Sequence, residues 1–157
     1  MRSITSRPTA RRLTGTVAGL SVTADGRLVG VVMVCGHHTD GATLHVDGDD
    51  AGRRATVGSW TADRPLTRGL TTWTLDPPTA GWTATEPLAP LTAGTTYRLY
   101  GWTKDNSWSA SGVSFTTADR DRLAPGTVRY HDVSEGDGET ALTVSLAEFE
   151  ARACKDL

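Results

Sequence analysis

Hydrophobic and polar positions alternate in short runs, and glycine, proline and acidic turn residues separate those runs. Period-two alternation is the signature of a strand, whose successive side chains point to opposite faces. Leu13–Ala24 alternates in this way and stops at Asp25-Gly26, a dipeptide suited to a tight hairpin. Arg27–Cys35 returns as a second strand, and Gly41–Asp47 is a third. Gly48-Asp49-Asp50-Ala51-Gly52 turns the chain, and Arg53–Trp60 runs back. Gly69–Leu75 follows, stopped by Asp76-Pro77-Pro78, and then comes a short strand at Gly81–Thr85. Thr95–Thr103 is long and clear; Asp105-Asn106-Ser107 turns, and Gly112–Thr117 returns. Strands separated by turns every ~8–12 residues predict a mainly β chain folded as an antiparallel sandwich or barrel.

The C-terminal stretch follows other rules. Ala118–Leu123 is a polar exit, Thr127–Val133 a further strand, and Ser134–Glu139 an acidic, glycine-containing loop. Thr140–Val144 alternates again. Ser145-Leu-Ala-Glu148 reads as a capping box and predicts a helix over 145–155, with Leu146, Phe149 and Ala153 as its apolar stripe. The expected organisation is a basic arm over residues 1–12, a β-sandwich domain over 13–118, and an extension over 119–157 packed on the sandwich.

The segment from Leu88 to Thr117 resembles the last two strands of a fibronectin type III or related immunoglobulin-like domain. It contains Leu91, a turn at Gly94, then Thr95-Thr-Tyr97-Arg-Leu99, and later Val113-Ser-Phe115. The resemblance implies an Ig/FnIII-like β-sandwich with a tyrosine corner. There Tyr97 packs its ring inward and ties its hydroxyl to nearby backbone. It carries no implication about function.

Two strands need cover on both faces. Arg27–Cys35 is apolar at both parities, with Val29, Val31, Met33 and Cys35 on one and Leu28, Val32 and Val34 on the other. The C-terminal helix is the natural cover for its outer side. In the Tyr97 strand, Tyr97, Leu99 and Gly101 face in, so Arg98, Tyr100 and Trp102 face out, with Trp108 in the next loop. Outward aromatics beside an arginine suit a binding platform for a carbohydrate or protein ligand. The alternative is that the C-terminal strand or a stacked arginine covers them.

Composition narrows the class. Sixteen basic residues face eighteen acidic ones, so there is no general cationic surface for nucleic acid. The basic cluster Arg2, Arg7, Arg11 and Arg12 lies in the N-terminal arm, read as a solvated tail. No stretch approaches the ~18 apolar residues of a membrane-spanning helix. Fourteen of the cations are Arg, a bias expected of a high-GC bacterium such as an actinobacterium. Cys35 and Cys154 lie far apart in sequence, so no CxxC-type metal site forms. They are either one disulfide or two buried thiols. A helix laid over the strand ending at Cys35 brings them together, and a disulfide implies an extracellular or cell-surface protein whose leader has been removed. With Met1 as the native start and no disulfide, the chain is cytoplasmic.

Candidate chemistry is sparse. His37, His38 and Asp40 form the densest cluster of potential metal ligands, with His45, Asp47, Asp49 and Asp50 nearby. Asp47–Gly52 is similar to a calcium loop, but Ala51 and Gly58 occupy positions that an EF-hand fills with ligands. His131-Asp132 is a conceivable acid–base pair. No GxSxG, HExxH, Walker or GxGxxG motif is present, and nothing calls for a cofactor. The expected function is a non-catalytic, exported binding or accessory module. The alternatives are a small metal protein or enzyme using His37, His38 and Asp40, and an inhibitor or immunity-type protein.

Overall fold

The structure, a computed structural model, describes residues 14–47, 55–105, 109–134 and 138–155. Eleven strands occur in it. In chain order they are β1 (Thr14–Val22), β2 (Leu28–Val34), β3 (Thr39–Val46), β4 (Thr56–Leu66), β5 (Gly69–Thr74), β6 (Trp82–Glu86), β7 (Tyr97–Trp102), β8 (Ser109–Ser111), β9 (Val113–Phe115), β10 (Thr127–Ser134) and β11 (Gly138–Ser145). Two short helices are α1 (Thr117–Asp121) and α2 (Leu146–Arg152). The strands make two sheets. Sheet A runs β11-β10-β1-β2-β5, with β8 added alongside β1; sheet B runs β6-β4-β3-β7-β9. The predicted sandwich is the architecture observed.

The two sheets close on an apolar core from both inner faces. Ala18, Leu20, Val22 and Val32 of sheet A meet Leu44, Trp60, Leu99 and Phe115 of sheet B. Three tryptophans fill one end. Trp73 stacks on Trp82 at 4.0 Å between centroids and meets Trp60 edge-on at 6.2 Å. These rings supply much of the bulk that a chain with a single isoleucine otherwise lacks. The Tyr97 ring is buried, and its hydroxyl accepts a hydrogen bond from Thr92 N–H at 2.7 Å.

A second apolar cluster lies outside sheet A. Val17 and Val31 pack there against Val128, Tyr130, Phe149 and Ala153, with Met33 and Cys35 at its edge. Both faces of β2 are therefore covered, as its double apolar parity required. Helix α2 supplies Phe149, fully buried and edge-on to Tyr130 at 5.0 Å. Cys35 and Cys154 form a disulfide across 119 positions, with their Cα atoms 5.5 Å apart.

Several boundaries differ from expectation, each for a local reason. The helix is shorter than 145–155: Ser145 caps it and it ends at Ala153. Only half of the capping box forms. Ser145 Oγ accepts from Glu148 N–H, but the Glu148 carboxylate pairs with Arg152 one turn on. The stretch read as a polar exit contains α1. Its N-cap Thr116 and Asp119 make a reciprocal capping box, a signal present in the sequence as Thr-x-x-Asp. The return strand expected over Gly112–Thr117 is the shorter β9, and a further strand, β8, precedes it. β8 pairs with β1 in parallel, and β9 pairs with β7. Gly112 sits at the crossover, where a Cβ would come within 2.9 Å of Leu99 O. Strand β4 runs on to Leu66, beyond the expected end at Trp60, because Leu66 pairs with Thr39 past a register shift that leaves extra residues on β4.

The extension adds strands to sheet A through β10, whose residue Arg129 pairs with Leu20 of β1. Two β10 side chains also stand in for a missing neighbour of β9. Arg129 Nε donates to Ser114 O at 2.9 Å, and His131 Nε2 accepts from Ser114 N–H at 2.9 Å. An edge of sheet B is thereby satisfied without another strand. The basic arm over residues 1–12 lies outside the described residues.

Candidate functional site

The candidate face is the outer side of sheet B. Alternation along β3 puts Ala42 and Leu44 in the core, which leaves Gly41, Thr43 and His45 outside. On β7 the same rule leaves Arg98, Tyr100 and Trp102 outside, all half-buried. The register sets them side by side: Gly41 opposite Trp102, Thr43 opposite Tyr100, His45 opposite Arg98. On the other side of β3, Thr61 and Ser59 of β4 lie opposite Gly41 and Thr43, and Thr83 of β6 lies opposite Thr61.

The tryptophan is seated by its neighbours. Its ring lies against the backbone of Gly41, where any Cβ would be 2.3 Å from the indole Cζ2. Its Nε1–H donates to Thr43 Oγ1 at 2.9 Å. Thr43 Oγ1 is 2.9 Å from Ser59 Oγ, and Ser59 Oγ–H points to Ala42 O. With the serine proton on that carbonyl, the threonine proton goes to the serine. The network then has one direction, from indole to backbone. Tyr100 is held differently. Its ring meets His45 edge-on at 5.4 Å, and His45 Nδ1–H donates to Val46 O. His45 is buried and acts as a wedge under Tyr100. The supports Gly41, Thr43, Ser59 and His45 escaped sequence reading. The signal for Gly41, Thr43 and His45 was the odd parity of β3, and that for Ser59 its pairing with Thr43, legible only once the neighbouring strands were known.

Arg98 Nη1 donates to Ser114 Oγ, which donates in turn to Asp47 Oδ2, each at 3.0 Å. Ser114 thus meets both Asp47 and His131, but not as a catalytic triad. His131 takes the backbone N–H of Ser114, while the hydroxyl faces a carboxylate. No imidazole activates that oxygen. The acid–base reading of His131 fails on the same bond, since Nε2 is occupied; the Asp132 side chain is outside the described residues.

The metal reading of His37, His38 and Asp40 is not met. Among the described residues no group of three His, Cys, Asp or Glu side chains converges on a possible ion. His38 Nε2 bonds Asp40 Oδ2 at 3.1 Å, and the same oxygen accepts Lys104 N–H at 2.8 Å. Asp40 is buried as a clamp between β3 and the end of β7. His37 is exposed, at the positive φ of 61° that turns the loop. Trp108 and residues 48–54, which include most of the calcium-like loop, lie outside the described residues.

A cleft of about 580 Å³ opens between β5 and the ends of β4 and β6, lined by Asp63, Arg64, Arg68, Thr71 and Trp82. Among the titratable groups, Asp119 stands out. Burial pushes its carboxyl up, but the Thr116 N–H, the Arg129 charge, the Thr116 hydroxyl and Arg122 outweigh burial and hold it below the usual range. These bonds tie α1 to β10. No helix among the described residues is long and apolar enough to cross a membrane. No protein-family profile matches the chain, and comparison with curated proteins and with solved structures yields no match.

Proposed function

We propose that the chain is an exported, non-catalytic binding module of fibronectin type III-like build, and that it holds its ligand on the outer face of sheet B. The observation that carries this reading is the seating of Trp102 and Tyr100. Two aromatic rings lie on an outer sheet face, fixed by hydrogen bonding, ring contact and a glycine cradle. Rings placed in this way lose little entropy when a ligand arrives. The helices pack elsewhere, α1 against β9 and α2 against β10 and β11. The Tyr97–Thr92 bond supports the fibronectin-like assignment, and the disulfide supports export.

The test is retention of the full chain on a panel of immobilised cell-wall polysaccharides and extracellular proteins. The wild type is compared with Tyr100→Ala and Trp102→Ala, each shown to be folded by circular dichroism. Retention that both substitutions weaken is the expected result. Retention indifferent to both places the working surface elsewhere.

A further inference from the structure

We infer that the ligand of this face is a neutral polysaccharide, laid across the sheet over Trp102 and Tyr100. The inference rests on the reading of the face as a binding surface and adds the chemistry of its occupant.

Two observations carry it. The first is what the tryptophan offers. Its only polar atom is consumed by Thr43, so what remains for a partner is the apolar ring. Sugar rings present C–H faces that pack on such rings. The second is the surround. Outward positions of β3, β4 and β6 next to the rings carry the hydroxyls of Thr43, Ser59, Thr61 and Thr83, with no aliphatic side chain among them. Thr43, Ser59 and Thr83 spend their protons within the protein and keep lone pairs that can accept from the hydroxyls of a polyol. Three charges at the margins are already engaged, Arg98 and Asp47 with Ser114 Oγ and Asp63 with Thr83 Oγ1, while the exposed Glu86 opposite Ser59 disfavours an anionic partner. A charged partner would have to displace these bonds; a neutral one leaves them intact.

The experiment uses the full oxidised chain with insoluble cellulose, xylan and chitin, at low and high salt. Tryptophan fluorescence is followed during titration with the matching soluble oligosaccharides. The expected result is retention on at least one of the three, unchanged by salt and released by its oligosaccharide. Trp102→Ala should weaken it about tenfold or more. Thr43→Val keeps the shape of the strand but removes the acceptor that seats the indole, so it should weaken binding by less than Trp102→Ala does. It keeps the proposal testable if the alanine variant does not fold. Retention on none of the three overturns the proposal, as does retention that salt abolishes or that neither variant changes. Binding only to a protein on the panel, lost in Tyr100→Ala and Trp102→Ala, would overturn the polysaccharide but leave the binding face standing.

Discussion

The two outer faces of the sandwich were made from the same kind of strand and finished in opposite ways. On sheet A the outward row carries Val17 of β1 and Val29, Val31 and Met33 of β2, and the extension closes over them with β10, β11, α2 and a disulfide. On sheet B the outward row is Gly41, Thr43 and His45 of β3 beside the half-buried Arg98, Tyr100 and Trp102 of β7. Their support comes from within the sheet. The first face contributes stability, because burying a Val or Leu gains about 1.5–3 kcal/mol each. The second keeps its larger side chains partly in water, and no folding gain accounts for that. The proposed binding role of sheet B rests on this difference.

Cutting the clasp should have the largest effect. Cys35→Ser with Cys154→Ser, or full reduction, releases a closure spanning 119 positions. The chain-entropy model puts the loss at about 4–5 kcal/mol, readable as a lower urea midpoint. A midpoint that does not move would mean that α2 docks without its tether. Next is Phe149→Ala. This ring is fully buried under α2, so its removal should cost about 3–5 kcal/mol in the same assay. A loss under about 1 kcal/mol would show that sheet A is not the face held by burial.

Trp102→Ala should be clearly milder, about 1–2 kcal/mol, since its ring is half exposed and one hydrogen bond is lost. A cost equal to that of Phe149→Ala would make Trp102 a core residue and erase the contrast between the faces. The smallest change is expected from Asp119→Asn, under about 1 kcal/mol near neutral pH. Because the Asp119 carboxyl is held low, its contribution is complete above the unfolded value of about 3.9. It fades as the pH falls through the lower folded value. Wild type and variant should therefore converge in acid. A gap that persists or widens there would assign the effect to packing instead.

Much of the frame was legible in the chain. Alternation and turn residues located most of the strands, and Ser145 announced the helix cap. The double apolar parity of Arg27–Cys35 demanded a cover, which the stripe Leu146, Phe149, Ala153 could supply. That reasoning also brought Cys154 toward Cys35. The candidate face was half legible: parity sent Arg98, Tyr100 and Trp102 outward. The surroundings of the histidine cluster were not legible, because only the fold turns the backbone at His37 and buries Asp40.

What the residues alone determined was local: which runs are strands, where the chain turns, which side of each strand is apolar. Those properties depend on contacts within a few positions, so the period and the turn chemistry record them directly. Only the tertiary structure decided how β8 and β9 divide between the sheets, that β10 joins β1, and which side chains lie beside which across β3 and β7. Each of those is a choice of partner distant along the chain. It is made by the packing of the whole sandwich, and no single segment carries it.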